Sequence, residues 1–210
     1  LKITAASAVF AFFLWYIFSL PVPLFTDPYC TVITDRNNKL LGAKISEDGQ
    51  FRFPPSDTIP YKLKQCIVNF EDKRFYLHSG VDFSAVLRAV KQNISSGKIV
   101  SGASTISMQV IRLARKNKER TLGEKISEMF RAWRLEQSYT KNEILNLYLS
   151  HAPFGGNVVG MEAAAWRWFG TSAEKLTWAQ SAVLAVLPNA PALIHPGRNR
   201  KQLTEKRNRL

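Results

Sequence analysis

Cysteine and histidine are scarce. The 210 residues hold 2 cysteines and 3 histidines. Two thiols, Cys30 and Cys66, are too few for a disulfide framework, and no His/Cys spacing resembles a zinc site. Cys66 falls among apolar residues in a helical pattern and reads as a packing residue. No Gly-rich loop suggests a nucleotide site, and no internal repeat is present. Acidic residues are outnumbered as well: 16 Asp and Glu stand against 29 Lys and Arg, a net charge of +13. Such an excess points to a polyanionic partner: nucleic acid, an anionic membrane surface or a phosphorylated substrate.

Charge is absent from one long stretch. "ITAASAVFAFFLWYIFSL", residues 3–20, has no charged residue, no Pro and no Gly. About 20 apolar residues are needed to cross a bilayer as a helix, so this run is near the short limit. Trp15 and Tyr16 are amphipathic, and Pro21 and Pro23 end the run. "SLPVP" does not look like a signal-peptidase site. The stretch is therefore read as an uncleaved transmembrane anchor over residues 1–20, with a signal peptide or a buried core helix as the alternatives. Lys2 is a single weak cytoplasmic flag.

Beyond the apolar run the chain has two textures. Residues 31–53 alternate short β-prone runs with the turn signals "RNN" and "EDGQ", which predicts a small strand pair. From Pro60 onward the pattern is helical. Leu63, Ile67 and Phe70 share a stripe, and Gly80 is a candidate stop. Asp82 can cap a helix over "FSAVLRAVKQNI", which ends at "SSG". "TLGE" (Thr121, Glu124), "TKNE" (Thr140, Glu143) and "TWAQ" (Thr177, Gln180) each fit the capping box. "MEAAAWRWFG" is a short helix closed by Gly170, and "SAVLAVLP" ends at Pro188. The expected domain is mainly α, with a basic tail that can form a surface helix.

Three stretches can carry chemistry. "NFEDKRFYLHSGVD", residues 69–82, sets Glu71 and Asp72 beside Lys73 and Arg74 and adds His78. It is either a solvated helix face or the edge of a site that needs a carboxylate base near an anion. In "GASTISMQVIRLARKN", residues 102–117, helical spacing puts Thr105, Gln109, Arg112 and Lys116 on one face, with Ser104 at the helix start. Hydroxyls, an amide and cations on one ridge suit a phosphate or pyrophosphate; the alternative is an ordinary solvated face. In "RTLGEKISEMFRAWRLEQ", residues 120–137, Lys125 and Glu128 lie on one helix side next to Ala132 and Leu135. Ile126, Met129, Phe130 and Trp133 are expected to form the buried stripe. Lys125 and Glu128 are either a surface ion pair or a site. Two carboxylates in different environments are what glycosyl chemistry uses.

These stretches, in this order, resemble the glycosyltransferase family 51 domain of class A penicillin-binding proteins. The resemblance runs from about residue 61 to 197. "EDKRFYLHSGVD" is similar to the first family motif and "GASTISMQ" to the second, Gly-x-Ser-Thr-x-x-x-Gln. "KISE" followed by "LEQSYTKNEILNLYLS" is similar to the third and fourth. "GMEAAAWRWFG" and "LAVLPNAP" match later structural motifs. Met108, "APFGG" at 152–156 and the lack of an insertion look most like the penicillin-binding protein 1C subgroup.

The resemblance implies a lysozyme-like helical fold with a smaller lobe partly sunk in the membrane. It implies a peptidoglycan glycosyltransferase that polymerises lipid II into β-1,4 glycan strands and releases undecaprenyl pyrophosphate. Glu71 matches the general base and Glu128 the second essential glutamate. Ser104, Thr105, Gln109, Arg112, Arg120 and Lys125 match positions that hold pyrophosphate and sugars. Asp72 and His78 match motif residues with a positional role, and Lys73 matches a substrate-binding position of the same motif. No cofactor is required, and a divalent cation, Mg or Mn, is compatible with Glu128. The implied partners are lipid II, the growing glycan, membrane lipids and other cell-wall synthesis proteins, with no nucleic acid. The implied location is the cytoplasmic membrane, single-pass, with the catalytic domain on its outer face. The expected division is an anchor over 1–20, a linker with the strand pair over 21–59, the glycosyltransferase domain over 60–197 and a basic tail over 198–210 leading toward a transpeptidase domain.

Three positions depart from the pattern. Lys73 stands where Arg is usual and Arg112 where Lys is usual, keeping charge but not geometry. Glu124 stands where Arg is frequent, and its capping box with Thr121 gives it a local role. Three rival readings remain open: a non-catalytic membrane-anchored module that binds glycan or lipid II and organises other synthases, a nucleic-acid binder suggested by charge alone, and a lysozyme-like hydrolase.

Overall fold

A computed structural model describes residues 2–37, 39–98, 102–116, 121–189, 191 and 196–210, and the side chains of these apart from residues 2–6, 8 and 9. In chain order the elements are α1 (Lys2–Ile17), β1 (Thr31–Thr34), β2 (Leu40–Lys44), β3 (Phe51–Arg52), α2 (Tyr61–Glu71), α3 (Phe83–Ser96) and α4 (Ile106–Ala114). They continue with α5 (Leu122–Ser138), α6 (Lys141–His151), β4 (Val158–Val159), α7 (Met161–Phe169), α8 (Trp178–Val186) and α9 (Arg200–Asn208). The protein is mainly α with a short strand element, as expected. β1 and β2 pair antiparallel across the "RNN" turn. β3 instead pairs parallel with the distant β4, a partner that local pattern could not supply.

The helices begin and end where side chains satisfy their free backbone groups. Asp82 Oδ1 accepts the Ala85 amide at 2.8 Å and opens α3. Thr177 and Gln180 exchange hydrogen bonds at 3.3 and 2.8 Å and open α8 with a full capping box. Thr140 and Glu143 do the same for α6 at 3.3 and 2.7 Å. Gly97 and Gly170 close α3 and α7 with φ of 62° and 65°, a left-handed conformation that costs glycine little. Gly80 does not stop the first helix, because α2 already ends at Glu71.

The chain forms two compact units, each assembled from two stretches. The first comprises residues 1–26 and 74–144, the second residues 27–73 and 145–210. In the second unit α8 packs on α2 and α9. Leu63 and Ile67 of α2 and Leu184 and Ala185 of α8 are fully buried. Lys62 Nζ donates to the Leu176 carbonyl at 3.0 Å. The basic tail is a surface helix, α9, anchored by Leu203.

In the first unit α5 is the central helix. α4 packs along it, and α1 lies against it through Phe12 and Phe130, whose ring centroids are 5.5 Å apart. The expected transmembrane helix is not supported by the structure. α1 has 16 residues, and among the described residues no helix is long and apolar enough to cross a membrane. Pro21 and Pro23 lie only a few residues beyond its end.

A second correction concerns α5. The expected buried stripe is turned outward: Ile126 is 55% and Trp133 47% exposed. The buried residues are Glu128, Ala132 and Leu135. The reason is Gly80. Its φ is +89°, and a Cβ there would lie 2.6 Å from the Ala132 carbonyl oxygen. The backbone at Gly80 therefore rests directly on the Glu128–Ala132 side of α5. Only a residue without Cβ, on a helix side with a small residue, allows so close an approach.

Candidate active site

The same glycine joins two of the three chemistry-bearing stretches. Thr105 opens α4: its Oγ1 accepts the Met108 amide at 3.2 Å and donates to the Gly80 carbonyl at 2.6 Å. Thr105 is thus buried and holds the start of α4 against the Gly80 turn. Ser104 then projects just ahead of the helix. The ridge is shorter than the spacing predicts. α4 ends at Ala114, and Lys116 has φ 54°, outside the helix. Gln109 and Arg112 remain one turn apart on α4.

Glu128 gathers the charges. Its side chain is 7% exposed. Arg112 grips it in a fork, Nε to Oε1 at 2.9 Å and Nη2 to Oε2 at 3.1 Å. Lys125 Nζ lies 3.7 Å from Oε2 and donates to Ser104 Oγ at 2.6 Å. The hydrogen bonds that Arg112 donates to Glu128 raise its pKa against the opposing effect of burial, so the guanidinium stays charged. Two cations share one carboxylate, so Ser104, Arg112, Lys125 and Glu128 form one cluster with surplus positive charge. Planar Arg–carboxylate pairing fixes direction as well as charge.

Glu124 is placed differently from its expected capping role. Thr121 Oγ1 accepts the Glu124 amide at 3.1 Å, which is half of a capping box. The carboxylate is turned away to pair with Arg115. Local sequence favours the box, and Arg115, past the end of α4, wins by its full charge.

His78 lies in the first unit. Its carbonyl accepts from Lys141 Nζ at 2.6 Å, and Lys141 also bonds Glu136 at 2.7 Å. His78 lines a groove of about 840 Å³ walled by Leu77, Phe83, Ile126, Phe130 and Trp133. Arg74 and Asp82 border it as an ion pair. The Arg74 guanidinium holds the Asp82 carboxyl well below the usual carboxylate range. Phe83, Leu87 and Ile94 continue the exposed apolar surface along α3, with Leu87 at 72% exposure.

Glu71, Asp72 and Lys73 belong to the second unit. Glu71 is the last residue of α2 and is half-buried; Asp72 is buried, and Lys73 is exposed. The Asp72 amide closes α2 on the Val68 carbonyl at 3.0 Å. Tyr148 of α6 is buried, and burial, followed by the negative charge of Glu71, pushes its hydroxyl well above the ordinary tyrosine range. The Tyr148 side chain is therefore part of the surroundings of Glu71, which its sequence distance conceals. Arg120 lies outside the described residues. Among the described residues no three His, Cys, Asp or Glu side chains gather as a metal site. Arg115 and Arg131 were not singled out in the sequence. Arg112, by contrast, is found through its helical spacing with Thr105 and Gln109.

A family model described as Transglycosylase matches residues 37–210. Penicillin-binding protein 1C of Escherichia coli (strain K12) is 37% identical over 212 residues, covering 99% of this chain and 27% of the relative. Penicillin-binding protein 1A of the same organism is 41% identical over 157 residues, covering 74% of this chain and 18% of the relative. The chain thus spans about a quarter or less of the length of these relatives. A crystal structure of penicillin-binding protein 1A from Haemophilus influenzae is 22% identical, with a TM-score of 0.45, over 88% of this chain and 18% of that one.

Proposed function

Since the chain belongs to the transglycosylase family, we propose that it is a peptidoglycan glycosyltransferase that polymerises lipid II in cell-wall synthesis. The observation that carries this reading is the Glu128 cluster: two cations, Arg112 and Lys125, oriented by one buried carboxylate with Ser104 beside them. A glycosyl transfer that expels a pyrophosphate needs preorganised positive charge where the leaving group gains electrons. Glu128 is assigned the role of positioning residue for both cations.

In the proposed reaction the 4-hydroxyl of the acceptor GlcNAc attacks the anomeric carbon of the donor MurNAc. Glu71 takes the hydroxyl proton as general base. The bond from the anomeric carbon to the pyrophosphate oxygen breaks with its electron pair going to undecaprenyl pyrophosphate. The centre inverts to a β-1,4 link. Arg112, Lys125 and Arg120 stabilise the leaving pyrophosphate, and Ser104 and Gln109 orient it. Thr105 acts through the start of α4. Asp72 and His78 keep positional roles, and Lys73 is assigned to substrate binding. No step is routed through a metal.

The substrate is a lipid, so the domain works at a membrane surface, on the outer face of the cytoplasmic membrane. The exposed apolar sides of α3, α5 and α1 are assigned to that contact. A lysozyme-like relationship of the fold belongs to the same proposal. The test is polymerisation of labelled lipid II by the purified chain, read as long glycan strands on gels. Wild type should form them, and Glu71→Gln should slow polymerisation at least about a hundredfold while melting normally, since general-base contributions run from ~10² to 10⁴. Lipid II binding without polymer would overturn the reading in favour of a non-catalytic module, and shortening of preformed glycan in favour of a hydrolase.

A further inference from the structure

A second group of charges lies on α5 that the proposed reaction leaves unused. Residues 124, 127 and 131 follow one another along one side of the helix. Arg115 pairs with Glu124 and holds its Nη1 3.4 Å from Ser127 Oγ. Arg131 donates to the same hydroxyl from one turn further along. Two half-buried guanidiniums therefore converge on one serine, and Glu124 is the carboxylate paired with one of them, Arg115. Ser127 offers lone pairs but no charge. Burial, and then the positive charge of Arg115, lower the Arg131 pKa from its ordinary value, in keeping with two cations that press on each other.

The surroundings of this pair are apolar. Arg131 Nε donates to the Ser19 carbonyl at 3.2 Å, just past the end of α1. Its guanidinium lies 5.2 Å from the centre of the Trp15 ring, close enough for a cation–π contact. Phe10, Phe13 and Ile17 of α1 are also exposed, and helical spacing sets them on the side of α1 away from Trp15. A ligand that satisfied this place would bring a phosphate oxyanion to the guanidiniums and hydrocarbon to the α1 side.

We propose that Arg115, Ser127 and Arg131 bind the phosphate of an anionic phospholipid headgroup, and that Glu124 holds Arg115 as an internal competitor until lipid displaces it. This rests on the membrane-surface reading given above. It differs from that reading in naming a discrete headgroup site and a residue that weakens it.

The test is co-sedimentation of the 210-residue chain with phosphatidylcholine vesicles, with and without phosphatidylglycerol. Arg115→Ala with Arg131→Ala should weaken binding to the anionic vesicles roughly thirtyfold, about fivefold per surface cation, and leave binding to neutral vesicles unchanged. Arg200→Ala with Lys201→Ala, an equal charge loss on α9, should have a far smaller effect. Glu124→Gln should bind the anionic vesicles more tightly. If the double arginine variant does not melt like wild type, Glu124→Gln decides alone, and no gain in affinity overturns the site. Equal losses in the α9 control would also overturn it, as would full retention in Arg115→Lys with Arg131→Lys, because diffuse charge would then be enough. Loss of affinity for inorganic pyrophosphate with unchanged vesicle binding would assign the pair to the substrate instead and sink the headgroup site. A wild-type chain that binds no vesicles at all would overturn the membrane reading itself, whereas normal binding indifferent to Arg115, Arg131 and Glu124 overturns this inference alone.

Discussion

The two sides of α5 reverse the usual arrangement. The side turned inward carries Glu128, gripped by Arg112 and approached by Lys125, together with Ala132 and Leu135. The side turned outward carries Ile126, Met129, Phe130 and Trp133 along an open apolar groove. Charge sits inside because it is paired and directed. Hydrocarbon sits outside because the neighbouring backbone needs the small residue Ala132 on the inner side. An ordinary water-facing helix would be heavily penalised for such an outer face, since large exposed apolar patches mark interaction or membrane surfaces. The contrast separates two uses of one helix: the inner side positions cations, and the outer side is open apolar surface, which the proposed function assigns to lipid.

The strongest way to break the inner side is Glu128→Ala. It leaves Arg112 half-buried without its counter-charge, and removing one member of a buried pair costs about 3–5 kcal/mol. Urea unfolding should show that loss, and lipid II turnover per folded molecule should fall with it, because Arg112 and Lys125 lose their orientation. Glu128→Ala with Arg112→Met should recover part of the stability but none of the turnover. Full stability in the single variant would mean that the ion pair is not the organiser of this side.

The outer side should respond in the opposite way. Ile126→Ser with Trp133→Ser should leave stability within about 0.5 kcal/mol, as for exposed positions generally. Binding to vesicles should drop about tenfold or more, given ~1.5–3 kcal/mol for burying a large apolar side chain. Unfolding of this variant with unchanged vesicle binding would return the stripe to a core role.

The smallest effect concerns Arg74 and Asp82 at the groove's edge. The folded-state pKa of Asp82 is depressed, chiefly by Arg74. Its contribution to stability is then fully present above the unfolded carboxylate value, ~3.9, and fades as pH falls below it. Asp82→Asn keeps an acceptor for the Ala85 amide but not the charge. Wild type should exceed the variant by about 1 kcal/mol at neutral pH, and the gap should narrow progressively as pH falls below about 4. A gap of the same size at about pH 2 as at about pH 7 would show that the charge is not what Asp82 supplies.

Much of the architecture is readable from neighbours along the chain. The caps at Asp82, Thr140 and Thr177 and the left-handed stops at Gly97 and Gly170 depend on backbone groups within four residues. Local sequence therefore determines them, and the structure agrees. The strand pair β1–β2 is local for the same reason. The motif order, the mainly α character and the transglycosylase family likewise follow from the sequence. The side of α5 that faces inward does not. Both of its sides show helical periodicity, and the choice is made by Gly80, 52 positions from Ala132, through a backbone contact no periodicity encodes. Glu124 shows the same limit: its neighbour Thr121 invites a capping box, but Arg115, just past the end of the preceding helix, takes the carboxylate. The sequence determined which residues could carry charge and where helices begin. Tertiary packing decided which charges meet, because Coulombic pairing and close backbone approach depend on distance in space and not along the chain.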